Sequence, residues 1–354
     1  MVYRILVASY TNEIYTLAFD PEAPSLILTS TITLGYHPSW ITPHPTDKTI
    51  VFTALEQSEG KIFVLKLDDE GRATVVGEGP SGGADPCSLL ALDDQLLVAN
   101  YSSGTFTAVP LTSKPPYILT AESTVIPFSG TGPNKERQEA SHLHQVVEHP
   151  TSKEVFVPDL GADKTRRLVR DASGKWSEKA VISYKAGSGP RHVAFHEDIV
   201  YTLLELTSEV SAYCLPPHPA EPIPLDTVRT MANPPPSPLA ADMLAAEILV
   251  PPPNATFPNP YVYVSNRNDP DPAGDTIAIF TAVGMNRKIG YVREVRSGLK
   301  HLRGMVFGGP ENRWLIAGGA HGGGVKIFER TEGGKGLKEV ASIDLAGPTG
   351  FLWL

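Results

Sequence analysis

Two side chains invite a chemical reading before any fold is considered. Arg191 stands in Gly187-Ser-Gly-Pro-Arg-His192, a glycine-proline turn that opens a short apolar run, and Glu205 closes the next such run, Ile199-Val-Tyr-Thr-Leu-Leu204. If the two runs are antiparallel neighbours, the start of one and the end of the other share a sheet edge. A fixed guanidinium can stabilise developing negative charge or hold an anion, and a carboxylate can orient it or accept a proton. Other residues of the same chemical types recur at equivalent places. At run starts stand His37, Asp85, His142, His144, His301 and Arg303. At run ends stand Glu56, Asn100, Tyr101, Asp159, Asn266 and Arg267.

The elements that position them are short strands. Apolar or β-branched runs of four to eight residues recur throughout and almost nothing has helical period. The runs fall into a repeat of roughly 45 residues, the spacing of a propeller blade. Each repeat has a proline- or glycine-opened strand A, a strongly apolar strand B, an amphipathic strand C and a polar strand D. Pro38-Ser-Trp-Ile, Thr49-Ile-Val-Phe-Thr-Ala-Leu55, Lys61-Ile-Phe-Val-Leu-Lys66 and Ala73-Thr-Val-Val76 show one such unit. The N-terminal segment supplies only B, C and D, while Gly350-Phe-Leu-Trp-Leu354 is a spare A strand. Joined, they complete one blade. The expected fold is an all-β, seven-bladed β-propeller, a single domain over residues 1–354, with blade 1 closed by the C-terminal strand and its open edges removed. Three segments break the repeat, at 128–139, 216–238 and 251–260, and read as surface loops, the second of them extended and proline-rich.

In a propeller, A starts and B ends share one rim. The opposite rim carries only ordinary turn sequences, such as Asp93-Asp94. The charged and imidazole residues therefore gather on one mouth. A net charge of −9 argues against nucleic acid as partner, and two cysteines exclude a disulfide framework and point to a reducing, cytoplasmic setting. The apolar opening, Met1 to Tyr10, is too short to span a bilayer and lacks a signal-peptide pattern, so no membrane association is expected. His142 and His144 share a face, yet no HExxH or CxxC pattern accompanies them. The expectation is no metal and no cofactor. A monomer or weak homo-oligomer is expected.

Ser141-His-Leu-His144, Pro158-Asp-Leu-Gly-Ala-Asp163, Gly187-Ser-Gly-Pro-Arg-His192, Glu205-Leu-Thr-Ser-Glu-Val210, Ala246-Glu-Ile248 and Ser265-Asn-Arg267 together resemble the seven-bladed propeller lactonase family. That family contains the propeller-type 6-phosphogluconolactonases and the fungal 3-carboxy-cis,cis-muconate lactonizing enzyme. The resemblance runs from blade 1 to blade 7 and implies a catalytic set of His144, Arg191, Glu205 and Arg267, all four on the mouth already picked out. Asn100, Tyr101, Asp159, Asn266, Arg303 and His37 complete the expected substrate-binding set. Departures occur at Leu143, where the family usually has proline, at Leu302-Arg303, and at Ala317-Gly-Gly319.

The resemblance implies hydrolysis of a small anionic lactone of sugar type, with a phosphate or carboxylate on it left open by the sequence, and with Glu205 as base for water and His144 as acid for the leaving alkoxide. A glutamate between arginines has a lowered pKa, which weakens it as a base, so the two roles are exchangeable. Two other readings stay open. One is a cycloisomerase that closes a muconate-type diacid. The other is a non-enzymatic, protein-binding propeller, which has no reason to aim two arginines, a glutamate and a histidine inward.

Overall fold

The computed structural model describes residues 1–217, 220–236 and 242–354. Seven four-stranded antiparallel sheets are formed among the described residues, each ordered A-B-C-D from the axis outwards. The B strands explain why. Ile50–Leu55, Val155–Asp159 and Tyr261–Ser265 are buried along their whole length, because each blade is covered on both faces by its neighbours and needs an unbroken apolar run. The D strands lie outermost and are mostly exposed, as in Ala73–Pro80. There is no single core. Buried apolar residues form seven clusters, each filling one junction between neighbouring blades. Ile5, Val7 and Leu17 of blade 1, for example, meet Trp314, Ile316 and Val325 of blade 7.

Blade 1 closes as the sequence requires. The strand Pro348–Trp353 pairs with Tyr3–Ser9, with Ile5 opposite Trp353 and Val7 opposite Phe351. Tyr10 N–H donates to Gly347 O (2.8 Å) and Leu354 N–H to Arg4 O (2.9 Å), extending the seam at both ends.

Two expectations need correction. The segment 216–238 is not simply an extended loop: Ile223–Arg229 forms strand D of blade 5, paired with Glu209–Cys214. Pro222 and Pro224 hide it in the sequence, since proline argues against strand except at an outer edge, where this one lies. Residues 218–219 and 237–238 of that segment lie outside the described residues. The segment 128–139 is not a passive surface loop either. It carries the fully buried Gln138 and reaches into the mouth. No helix among the described residues is long and apolar enough to cross a membrane.

Candidate active site

The mouth is built by one backbone contact that repeats from blade to blade. In six blades a residue one or two places after strand B donates its N–H to a carbonyl ahead of strand A: Glu56 to His37 (2.9 Å), Tyr101 to Asp85 (2.9 Å), Leu160 to His142 (2.9 Å), Glu205 to Gly189 (2.8 Å), Arg267 to Met243 (2.7 Å) and Tyr10 to Gly347 (2.8 Å). At His37, Asp85, Gly189 and Gly347 the chain turns left-handed, with φ between 51° and 62°. Gly189 also has no room for a side chain, because a Cβ there would come within 2.6 Å of Leu206.

Side chains alternate along a strand, so the residue one step earlier faces away from this ring. That step decides three of the expected binding residues. Asn100, Asp159 and Asn266 are wholly buried. Asn100 accepts from Ser81 Oγ (2.8 Å) and donates to Thr107 Oγ1 (3.1 Å). Asn266 accepts from Thr230 Oγ1 (2.6 Å) and donates to Thr276 Oγ1 (3.0 Å). Asp159 accepts from Ser141 Oγ (2.5 Å), His142 N–H (2.9 Å), Ala162 N–H (3.2 Å) and Arg166 (2.7 and 2.9 Å). Their hydrogen-bonding capacity is consumed within the blades. They brace the rim and do not line it.

The other expected residues converge. Glu205 is the hub, with its side chain 2% exposed. Its Oε2 lies 2.9 Å from Arg191 Nε and 3.0 Å from Arg267 Nη2, and its Oε1 accepts from Arg137 Nη2 at 2.6 Å. Arg303 sits across the mouth, 3.6 Å from Glu56 Oε2, with its guanidinium over the Tyr10 ring at 4.8 Å. Tyr10 Oη donates to Glu56 Oε1 (3.4 Å). Four guanidiniums thus meet Glu205 and Glu56 at the mouth, with Glu247 acting on Arg191 from below, so positive charge is in excess. Burial alone would raise the Glu205 carboxyl, but Arg267, Arg191 and Arg137 outweigh it and hold it at about 2. Burial, with repulsion from Arg303 and Arg267, pulls Arg191 down to about 10.

Burial disfavours the charged form of His37, His144, His192 and His301. His144 is 5% exposed, edge-on to Tyr101 and to His192, with ring centroids 5.6 and 5.2 Å away. Its Nδ1 has no hydrogen-bond partner among the described residues. Burial first, then Arg191, His192 and Arg303, push its pKa well below the usual imidazole range. Beneath it, His192 Nδ1 meets Glu247 Oε1 at 2.7 Å, and Glu247 lines an axial cavity of about 280 Å³ that continues below the mouth. His37 stacks on Tyr36 (3.6 Å) and lies 4.8 Å from Tyr10, so it walls the same mouth. His301, stacked on His321 at 4.1 Å, is lowered to about 3 by burial and by Arg267.

Two contributors were not found from sequence. Arg137 comes from the irregular segment 128–139. Asp163 closes a quoted motif, yet its task appears only in space: it accepts Gly187 N–H (2.7 Å) and Gly189 N–H (2.8 Å), fixing the turn that aims Arg191, and it accepts Gln138 Nε2 (2.8 Å), fixing the segment that carries Arg137. The spacing from Asp163 to the glycine turn was visible, but the pairing was not.

A family model described as "Lactonase, 7-bladed beta-propeller" matches residues 4–353. The chain belongs to that lactonase family. Among curated lactonase relatives, a Bacillus subtilis protein named 6-phosphogluconolactonase is 27% identical over 92% of this chain and 90% of its own length. An Arthroderma benhamiae protein named "Probable 6-phosphogluconolactonase" is also 27% identical, over 98% of this chain and 88% of its own. A solved structure from Bacteroides uniformis is 26% identical with a TM-score of 0.86, covering 100% of this chain and 99% of that one. Lactonase propellers of this kind therefore share the whole ring with this chain.

Proposed function

We propose that the protein hydrolyses a small, anionic, sugar-type lactone to its hydroxy acid, at the mouth formed by His144, Arg191, Glu205, Arg267 and Arg303. One observation carries the reading: fixed guanidiniums in cationic surplus stand beside a buried histidine held neutral. The excess of positive charge suits an anion, and the relatives' names point to phosphorylated sugar lactones. Both cysteines are free thiols, which fits a reducing, cytoplasmic setting.

The geometry favours moving the base role from Glu205 to His144, which keeps the acid role as well. A carboxylate at about 2 with cations on both oxygens is a poor base for water, so Glu205 acts as the anchor that orients Arg191 and Arg267. Neutral His144 is free to accept a proton. Water attacks the lactone carbonyl carbon, its proton passes to the His144 imidazole, and the carbonyl oxygen becomes an oxyanion facing the guanidiniums. The same arginines that depress His144 in the resting site are offset by that oxyanion, so the imidazole gains proton affinity as the transition state forms. Collapse of the tetrahedral intermediate breaks the ring C–O bond, and the imidazolium returns its proton to the leaving alkoxide. Tyr101, stacked on His142 and edge-on to His144, and His37, stacked on Tyr36, flank the pocket.

The test is proton release on a pH-stat with 6-phosphoglucono-1,5-lactone and glucono-1,5-lactone, using the wild-type chain and Arg267→Ala. Catalysis above the spontaneous rate is expected, with at least a tenfold loss in the variant. No rate above background with either lactone would remove the proposal.

A further inference from the structure

Arg137 differs from the other arginines of the mouth in three respects. Its side chain is 34% exposed, against 2%, 6% and 11% for Arg191, Arg267 and Arg303. It rises from an irregular segment, whereas Arg191 and Arg303 lie within strands and Arg267 just follows one. And its contact with Glu205 is separate from the others: Oε1 serves Arg137, while Oε2 keeps Arg191 and Arg267.

The root of this side chain is nonetheless fixed. Gln138, wholly buried, donates to Leu160 O (2.9 Å) and Asp163 Oδ1 (2.8 Å), its N–H donates to Asn134 O (2.7 Å), and Arg137 N–H meets Asn134 Oδ1 (3.2 Å). Gly132 leaves the space that the Gln138 amide occupies. The backbone is therefore held, while the guanidinium stands at the end of a long stem, one third exposed, between Glu205 and Tyr101. A guanidinium in that position presents a planar fork suited to phosphate or carboxylate oxygens.

We propose that Arg137 is the specificity-determining arginine of the mouth: it exchanges its bond to Glu205 Oε1 for the anionic substituent of the lactone, while Arg191 and Arg267 stay with Glu205 and the reacting carbonyl. This rests on the lactonase reading above and adds to it the residue that reads the substrate's charge.

The experiment compares wild type, Arg137→Met and Arg137→Lys on 6-phosphoglucono-1,5-lactone and on uncharged glucono-1,5-lactone. The preference for the phosphorylated substrate, as the ratio of kcat/KM values, should fall about 10- to 100-fold in the Met variant, mainly through KM, with part of it restored by Lys. A side chain that merely oriented Glu205 would instead lower kcat on both lactones alike, leaving the ratio unchanged. That result overturns the assignment, as does a wild-type enzyme with no preference. Calorimetric titration with 6-phosphogluconate and gluconate separates the two levels of the argument. If neither lactone turns over but 6-phosphogluconate binding weakens selectively in the Met variant, the lactonase reading falls and the role of Arg137 as anion reader stands. If binding of both acids is unaffected, the role of Arg137 falls whatever the turnover.

Discussion

Glu205→Gln is the most informative single change. Its carboxylate lies within 3.0 Å of three guanidiniums and is buried with two of them. The folded protein holds it at about 2 against an ordinary 4.5, which corresponds to about 3 kcal/mol of stability. The sign follows from the direction. A carboxyl depressed by folding contributes in full above 4.5 and loses that contribution as the pH falls towards 2. Glutamine removes the charge and turns an N–H₂ group towards donors, so Arg191 and Arg267 are left buried without an anion, a loss of the same order. Urea denaturation should show the variant about 3 kcal/mol less stable at pH 7, with the gap shrinking between pH 4.5 and 3. Turnover should fall at least tenfold, since the two arginines lose their common anchor. A gap below 1 kcal/mol at pH 7, or one that is the same at pH 3, would refute the reasoning.

Three further outcomes follow from the same geometry. His144→Gln should lower kcat by about 10²- to 10⁴-fold, and the acid limb of the wild-type kcat/KM profile should lie below 6.5, because the imidazole is depressed and must be neutral to act; a limb at 7 would contradict this. Asp163→Ala strands the N–H groups of Gly187 and Gly189 and releases Gln138. Thermal and chemical denaturation should record a loss of about 2–4 kcal/mol, with reduced turnover as Arg191 loses its aim. Asn266→Ala should cost about 1–3 kcal/mol through Thr230 and Thr276, with KM changed less than twofold, because that side chain braces the rim without facing it.

How far the sequence carried the reading depended on the type of signal. Unbroken runs such as Ile50–Leu55 report burial on both faces, and the spare strand at the C-terminus declares ring closure. The repeat therefore located the mouth and placed Arg191, Glu205 and Arg267 on it. It did not resolve single-residue register: Asn100, Asp159 and Asn266 stand one step before the rim position, and in a pleated strand that step sends a side chain to the opposite side. Arg137 escaped because periodicity says nothing about a segment outside the repeat. Strand D of blade 5 escaped because its flanking prolines mimic a loop. The proposed move of the base role from Glu205 to His144 needed distances, since it rests on the number and placement of the cations around Glu205.

The seam of blade 1 bears on when the site comes into being. Val7 and Phe351 come from almost opposite ends of the chain, so their pairing is among the slowest contacts to form. Gly347 O, beside that seam, holds Tyr10, and Tyr10 lies under Arg303 and donates to Glu56. The layer formed by Tyr10, Glu56 and Arg303 is therefore expected to take its final shape only once Pro348–Trp353 docks on Tyr3–Ser9. Activity should accordingly appear late in refolding, so that its onset serves as a clock for ring closure.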